Sequence, residues 1–206
     1  MRTSTRQAER RSFGGAGLED RRARHGTRRA YAFRTPFGPG SLTLDGDLPL
    51  ELELPAPVIR APAESDAAEA GEHPGDPGAW VAQLEAYFAG EPVAFGLDVA
   101  AHCRARGMTA FETAVYTALA AVPYGRAVSY RDLARAAGRP NAYRAVGTAM
   151  SRNALPVILP CHRVIKNDGT PGLYGDDPAW KLRLLELEGV LLPGATKVTR
   201  AGRGRV

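Results

Sequence analysis

Residues 129–150 have the sequence SYRDLARAAGRPNAYRAVGTAM, which sets how the second half of the chain is expected to fold. Ser129 can cap a helix over residues 130–137, and Gly138 ends it. A second helix is predicted over residues 142–150. Two short helices joined by a glycine-containing turn form a helix-turn-helix pattern, which also occurs in purely structural bundles.

The second of these helices is rich in small residues: Ala142, Ala145, Gly147 and Ala149. Arg144 projects near its start. Small residues let a helix backbone approach another surface closely. That surface is either a packed neighbouring element or the floor of a DNA groove, and the helix alone does not decide between them.

The flanking segments complete this half of the chain. Thr109 can cap a helix over residues 111–119. Residues 166–169 are a turn signal, so we expect a strand, a turn and a returning strand that form a β-wing. A last helix is predicted over residues 180–188, with Gly189 ending it.

Residues 159–165, Leu-Pro-Cys-His-Arg-Val-Ile, place a thiol beside an imidazole and a guanidinium. A thiol is an effective nucleophile only as the thiolate, and both neighbours favour that ionised form. For an arbitrary Cys-His pair, a buried cysteine followed by a solvated histidine is favoured by about three to one. The catalytic interpretation depends on the motifs around the pair.

The first half predicts a scaffold. Residues 31–35, 41–44 and 48–54 alternate with period two and predict short antiparallel strands, and residues 80–88 have helical spacing. Residues 56–78 are rich in Pro, Ala, Glu and Gly and predict a long loop. The aromatic residues of the 80–88 helix are expected in the core.

No metal site is expected. His73 lies in the polar loop, and the His102-Cys103 pair lacks further cysteines or histidines at ligand spacing. With only Cys103 and Cys161, the chain has no disulfide framework, which fits a reducing, cytoplasmic compartment.

The composition predicts a globular protein without a membrane-spanning segment. Hydrophobic residues make up 44% of the 206 positions, enough for a core, and no apolar run approaches the ~20 residues that cross a bilayer. Mean hydropathy is −0.25. The net charge of +5 suits a polyanionic partner, although much of the excess lies in the tails.

Residues 1–29 are rich in Arg, Gly and Ser without apolar periodicity, and predict a disordered basic extension. The extension has no apolar segment of a secretory signal, and its acidic residues argue against a transit peptide. A nucleic-acid tether or an inert tail is expected. Residues 193–206 form a basic tail.

A set of short motifs from Thr109 to Gly189 connects these features: Val122-Pro123-Tyr124-Gly125, Ser129-Tyr130, Arg144-Ala145-Val146-Gly147, Ala149-Met150, Asn153, Pro160-Cys161-His162-Arg163-Val164, Asp168-Gly169, Gly172, Tyr174, Lys181, Leu184-Leu185 and Glu188-Gly189. Through them the chain resembles the O6-alkylguanine-DNA alkyltransferases, also called methylated-DNA–protein-cysteine methyltransferases. The first half matches more loosely, through Thr35-Pro36-Phe37-Gly38 and Tyr87-Phe88-Ala89-Gly90.

The resemblance implies an α+β fold. Residues 30–108 would form a small, ribonuclease H-like α/β domain, and residues 109–192 a mostly helical winged helix-turn-helix domain. It also implies a monomer without a membrane, a cofactor or an obligate protein partner. The partner would be double-stranded DNA, bound in the minor groove.

The implied activity is DNA repair by a single, irreversible transfer of an alkyl group from O6-alkylguanine to Cys161, with O4-methylthymine as a second candidate substrate. Glu188 would orient His162, and His162 would deprotonate the thiol through a water. Adjacent residues on an extended segment point to opposite sides, which gives the bridging water a physical reason.

The resemblance assigns further roles to two groups of residues. Base flipping and DNA binding fall to Tyr130, Arg144, Ala145 and Gly147. Pocket walls and structural support fall to Met150, Asn153, Pro156, Arg163, Val164, Tyr174 and Lys181. In the second group, Val164 would offer its carbonyl to the guanine amino group.

Two departures from the family pattern bear on substrate range and DNA affinity. Tyr143 is bulkier than the residue usual beside the arginine, and Asp176-Asp177 follow Tyr174 where a Gly-rich or Ser/Gly-containing turn is usual. Three alternatives stay open: a non-catalytic binder of alkylated DNA, a winged-helix regulator whose Cys-His pair senses oxidants, and a thiol hydrolase.

Overall fold

Three strands form an antiparallel sheet in the order β1-β2-β3: β1 (Arg28–Thr35), β2 (Gly38–Asp45) and β3 (Leu48–Glu53). The structure is a computed structural model that describes residues 28–55, 77–172, 174, 175, 177–191 and 195–198. The three predicted strands are confirmed. The predicted extension over residues 1–29 was two residues too long, because Arg28 and Arg29 pair with Asp45 and Leu44. The rest of that extension lies outside the described residues.

One face of this sheet is apolar, as the alternation predicted. Phe33, Leu42 and Leu52 are buried on it. Gly40 permits the packing, because a Cβ at this position would lie 2.2 Å from Cζ of Phe33 and 2.8 Å from the carbonyl oxygen of Glu53. Any larger residue would push the Phe33 ring out of the core.

Two helices follow the sheet. The predicted helix near residue 80 is α1 (Pro77–Phe88), which buries Leu84, Tyr87 and Phe88. The second, α2 (Val99–Ala105), was not predicted. It is short and buries only His102 and Cys103, so its sequence has little periodicity to detect. The Asp98 carboxylate caps it by accepting a hydrogen bond from the backbone N–H of Ala101.

The next three helices were all predicted: α3 (Ala110–Ala120), α4 (Tyr130–Ala136) and α5 (Tyr143–Ser151). Capping boxes start the first two, with Thr109 and Ser129 as the N-caps. The α4 and α5 helices pack against each other across the turn between them. The helix-turn-helix pattern therefore corresponds to two contacting helices.

The segment after α5 differs from the prediction. Residues 161–163 form one turn of 3-10 helix, and β5 (Val164–Ile165) pairs in parallel with β4 (Val128–Ser129). No strand returns from the 166–169 turn within the described part of the chain. The turn is closed instead by a hydrogen bond from Lys166 N to Thr170 O at 2.9 Å.

The last helix, α6 (Pro178–Leu187), begins two residues earlier than predicted because Asp177 caps it. One hydrophobic core joins β1–β3 and α1 to the later helices. Hydrogen bonds also link the halves: Leu52 N donates to Ala154 O at 2.7 Å, and Trp180 Nε1 donates to Pro55 O at 3.2 Å, among others. Among the described residues, no helix is long and apolar enough to cross a membrane.

Candidate active site

Asn153 shapes the loop that carries Cys161. Its Nδ2 donates to the carbonyl oxygen of Leu159 at 2.7 Å and contacts the Cys161 sulfur at 2.9 Å. Its Oδ1 accepts from the backbone N–H of Leu155 at 3.1 Å. One amide therefore ties both ends of the loop together and contacts the thiol. Val157, at the centre of the loop, has a φ of 75°, a strained value for a β-branched residue.

Cys161 and His162 face different surroundings. The extended backbone expected here is wrong, because residues 161–163 form a 3-10 turn. Cys161 lines an open cleft, whereas the His162 side chain is fully buried against Glu188. The two side chains still diverge, and helical rotation instead of strand alternation separates them.

Cys161 is 6% exposed as a residue, and burial raises the pKa of its thiol. The Asn153 amide and the Lys181 charge oppose that increase. Tyr174 also favours the thiolate, although its buried hydroxyl lies outside good hydrogen-bond geometry with any described partner. Because the net effect raises the pKa, the thiol needs a base to become a nucleophile near neutral pH.

Glu188 forms the centre of a buried polar network. Its Oε1 lies 2.7 Å from His162 Nε2, and Arg163 Nε lies 3.1 and 3.0 Å from the two carboxylate oxygens. Oε2 also accepts from the backbone N–H of Gly125 at 3.2 Å. Burial alone would raise the pKa of Glu188, but His162 and Arg163 lower it to about 2. Glu188 is therefore an ionised acceptor at neutral pH.

The charge on Glu188 fixes the tautomer of His162. A carboxylate can only accept, so His162 Nε2 carries the proton of this hydrogen bond. In the neutral ring Nδ1 is then the basic nitrogen, and it is buried with no hydrogen-bond partner among the described residues. Burial lowers the pKa of His162, so the ring is neutral and able to accept a proton.

Tyr87 also belongs to this network. Its hydroxyl donates to Glu188 Oε1 at 2.7 Å and lies 3.3 Å from His162 Nε2. The residue is fully buried on α1, in the half of the chain predicted to be scaffold alone. It was predicted only as a core aromatic residue. The Tyr87-Phe88-Ala89-Gly90 motif was the one signal in the sequence that set this position apart.

The cleft in front of Cys161 has a volume of about 1050 Å³. Eight of the predicted site residues line it: Tyr130, Gly147, Met150, Asn153, Pro156, Cys161, Tyr174 and Lys181. The first half also contributes Leu52, Leu54 and Pro55. A cleft of this size, apolar with a few polar groups, is typical of a small-molecule or base-binding site.

Lys181 is buried on one side of this cleft. Its Nζ donates to the carbonyl oxygen of Val164 at 2.6 Å and lies 5.7 and 6.0 Å from the ring centres of Tyr130 and Tyr174. Burial lowers its pKa to about 8, against the effect of Cys161, which raises it. The Val164 carbonyl, expected to meet the guanine amino group, therefore already has a partner.

The remaining predicted residues lie outside the cleft lining. His162, Arg163 and Glu188 are buried behind Cys161, and Arg163 also donates to the carbonyl oxygen of Val122 at 2.6 Å. Arg144 and Ala145 are exposed on the first turn of α5. The site therefore has three layers: an exposed helix, the cleft with its thiol, and a buried charged network.

Tyr143, one of the two departures, lies between two arginines. The guanidinium carbons of Arg131 and Arg144 lie 5.6 and 5.8 Å from its ring centre. In the second departure, Asp177 caps α6 and lies 3.7 Å from Arg183. That arginine offsets its charge. Asp176 lies outside the described residues.

Comparison with known proteins identifies the family of this chain. The family model for the DNA-binding domain of 6-O-methylguanine DNA methyltransferase matches residues 110–190. The crystal structure of the O6-methylguanine methyltransferase of Mycobacterium tuberculosis superposes with a TM-score of 0.58 at 33% identity, covering 79% of this chain and 93% of that one. The chain belongs to the methylated-DNA–protein-cysteine methyltransferase family.

Curated members of the family match mainly the second half of the chain. Methylated-DNA–protein-cysteine methyltransferases of Methanosarcina barkeri and Mycobacterium leprae are 43% and 46% identical, each over 52% of this chain. The matches span 64% and 62% of those relatives, just under two thirds of their length. The M. tuberculosis protein has also been crystallised with DNA, and that structure has a TM-score of 0.58 at 33% identity, covering 77% of this chain and 91% of that one.

The predicted α+β class is confirmed at the level of a small antiparallel sheet combined with several helices, as in solved members of the family. All the predicted site residues fall inside the segment 110–190 that the family model matches. Tyr87 falls outside it, so its part in the network is known only from the fold.

Proposed function

We propose that the protein repairs DNA by transferring the alkyl group of O6-alkylguanine, and of O4-methylthymine where it fits, directly to Cys161. One observation carries the proposal. A buried thiol faces a cleft large enough to admit a base. Behind it stands a neutral histidine with one ring nitrogen bound to a carboxylate and one that has no hydrogen-bond partner among the described residues. Membership of the family supports the same chemistry.

The transfer balances with the groups present. His162 Nδ1 takes the thiol proton through a water, and Glu188 stabilises the resulting imidazolium. The Cys161 sulfur then attacks the alkyl carbon, an S–C bond forms, and the C–O6 bond breaks with its electrons passing to guanine. The guanine takes back a proton and, still joined to the DNA, is restored to the unmodified base. The thioether is stable, so each protein molecule acts once, without a cofactor or a metal.

The base must leave the duplex to reach Cys161, at a cost of a few kcal/mol. We propose that α4 and α5 act as a helix-turn-helix, which lacks the predicted β-wing within the described residues, and that it enters the minor groove, where the small side chains of Ala145 and Gly147 permit a close approach. Arg144 would fill the space the base leaves, and Tyr130 would crowd the adjoining phosphate. The exposure of Arg144 and the position of Tyr130 at the cleft support these roles.

The other residues would hold the base and the fold. Met150, Pro156 and Tyr174 would form the pocket walls, with Asn153 and Lys181 beside the thiol. Val164 would use the second lone pair of its carbonyl oxygen for the guanine amino group, and Arg163 would brace Glu188. Residues 30–108 would form a ribonuclease H-like domain and residues 109–192 the alkyltransferase domain.

The protein would act on double-stranded DNA in the cytoplasm as a monomer, without an obligate protein partner. Two free cysteines, one of them the nucleophile, fit a reducing compartment.

The test separates chemistry from binding. Cys161→Ala should abolish transfer from a duplex that carries O6-methylguanine, while the Kd for that duplex changes by less than about threefold, since the thiol contacts no phosphate. Cys103→Ala removes the other buried thiol and should keep full transfer. Loss of both transfer and binding in Cys161→Ala would indicate a structural cysteine, and transfer that survives would show a different acceptor.

A further inference from the structure

Among the described residues of the first half of the chain, the hydroxyl of Tyr87 is the group that touches the proposed base relay of His162 and Glu188. Within the described residues, Glu188 Oε1 accepts from His162, from Arg163 and from Tyr87, the last at 2.7 Å. The Tyr87 oxygen also lies 3.3 Å from His162 Nε2. Tyr87 thus contacts both members of the His-Glu pair at the atoms that join them.

The direction of these hydrogen bonds follows from charge. Tyr87 has one hydroxyl proton, and it donates a hydrogen bond through that proton to the ionised Glu188 carboxylate at 2.7 Å. Burial and the neighbouring Glu188 raise the pKa of Tyr87 well above its ordinary value, so the hydroxyl stays protonated at neutral pH. Tyr87 is therefore a permanent donor to Glu188 Oε1.

Aromatic packing holds this donor in place. The Tyr87 ring makes edge contacts with Phe88 at 5.4 Å and Tyr124 at 5.9 Å between ring centres, and a third with His162 at 6.4 Å. Phenylalanine at position 87 would keep these contacts and lose only the hydroxyl. Tyr87→Phe therefore separates the role of the hydroxyl from the packing of the ring.

We infer that Tyr87 is a positioning residue that sets the base strength of His162 through Glu188. A donor on Oε1 withdraws negative charge from the atom that binds His162 Nε2–H. The carboxylate then stabilises the imidazolium less, and His162 stays neutral to a lower pH. The contact with the Tyr87 oxygen also holds the ring with Nδ1 directed away from Glu188.

The other ionisable groups around the relay come from several elements: Arg163 from the 3-10 turn, Tyr124 from the loop before β4, Lys181 from α6, and Cys161 and Tyr174 at the cleft. A change confined to the Tyr87 hydroxyl leaves all of these in place. Any movement of the pH profile can therefore be assigned to the Tyr87 hydroxyl, which contacts Glu188 Oε1 and His162 Nε2.

This inference rests on the proposed function, so its test does not use DNA. The rate at which iodoacetamide alkylates Cys161 is measured by peptide mass against pH. The acid limb of this profile is the pH range in which the rate falls as His162 becomes protonated. We expect Tyr87→Phe to move the acid limb to higher pH and to lower the alkylation rate there about three- to tenfold. That change corresponds to an increase of about 0.5 to 1 in the pKa of His162. Well above the limb, the rate should stay within about twofold of wild type.

The matched control is Tyr116→Phe. Tyr116 is also buried, and its hydroxyl donates to the carbonyl oxygen of Ala149 at 2.7 Å without touching Glu188 or His162. The Tyr116→Phe variant should lower the free energy of unfolding by an amount similar to Tyr87→Phe and leave the acid limb at the wild-type pH. An acid limb in Tyr87→Phe that coincides with that of Tyr116→Phe would overturn the inference.

A second change tests the same bond without removing it. A fluorotyrosine at position 87 keeps the ring and donates more strongly because its phenol is more acidic, so it should move the acid limb to lower pH, opposite to Tyr87→Phe. A shift in the same direction as Tyr87→Phe, or none, would overturn the inference even if the phenylalanine variant failed to fold. Failure of the wild type to accept a methyl group from DNA would instead overturn the proposed function.

Discussion

Cys161 is a thiol whose reactivity depends on residues behind it as much as beside it. Burial raises its pKa, so the adjacency of Cys161 and His162 in the sequence does not by itself make a thiolate. Reactivity requires a neutral base, and His162 is held neutral by burial with its proton directed at Glu188. In the proposed mechanism the three residues work as a unit: Glu188 fixes the tautomer of His162, and His162 accepts the proton of Cys161.

Glu188 should dominate the acid stability of the fold. Its folded-state pKa of about 2 lies below the ordinary value of 4.5, so its contribution is complete above pH 4.5 and is lost as the pH falls toward 2. That contribution is about 3 kcal/mol. The lowered pKa of His162 acts in the same direction, beginning below pH 6.5.

Glu188→Gln should therefore lower the free energy of unfolding by about 3 to 5 kcal/mol at pH 6, because it leaves the Arg163 charge buried and unpaired. The difference from wild type should narrow steadily toward pH 2. Urea unfolding across this range measures it. A difference that stays constant with pH would show that the carboxylate is not ionised in the fold.

At the scale of elements, α5 presents a cation at its exposed end and small residues along its length. Arg144 and Arg131 both stack on the Tyr143 ring, so Tyr143 holds the two charges together on one surface. An exposed pair of this kind is worth about 0.5 to 1 kcal/mol. The Tyr143 ring therefore contacts both cations on the exposed side of α5.

Arg144→Ala should slow repair of a duplex about tenfold or more, while the reaction with a free O6-alkylguanine base changes by less than about twofold, because only the duplex has a stack to fill. Arg152→Ala is the control, since it removes an exposed positive charge just beyond the other end of α5. Single-turnover rates on both substrates provide the measurement. Equal losses on the two substrates would argue against a base-replacing arginine.

The sequence predicted those elements whose signals are local. Thr109 and Ser129 marked helix starts through capping boxes, and the leucines of β2 and β3 marked a buried face. It missed α2, which buries only two residues, and it assigned an extended backbone to Cys161, where the chain makes a 3-10 turn. That turn depends on hydrogen bonds from Asn153, which span the loop and have no local pattern.

The role of Tyr87 in the site could not be predicted from the sequence. Its partner Glu188 lies 101 positions away, so no spacing rule could join them. From the sequence, a tyrosine in an amphipathic helix is a core residue, and in the fold it is both a core residue and a hydrogen-bond donor to the relay.

For the whole molecule, the two halves share one core and one polar network. Phe88 from the first half packs edge-on against Trp180 at 6.3 Å, and the Leu52–Ala154 hydrogen bond joins β3 to the loop after α5. The walls of the cleft come from both halves. Each half therefore depends on the other for part of its buried surface.

Unfolding should consequently be a single cooperative event. The chain has two tryptophans, Trp80 on α1 and Trp180 on α6, so fluorescence reports both halves. We expect the urea transition followed by fluorescence to coincide with that followed by far-ultraviolet circular dichroism. Two separate transitions would mean that the shared core does not couple the halves.

The most direct test of the account is the mass of the peptide that contains Cys161 after incubation with a duplex carrying one O6-methylguanine. We expect this peptide to gain one methyl group per protein molecule, the duplex to regain guanine, and excess substrate to give no second turnover. An unchanged Cys161 peptide with retained binding to the damaged duplex would contradict it and would favour a non-catalytic binder of alkylated DNA.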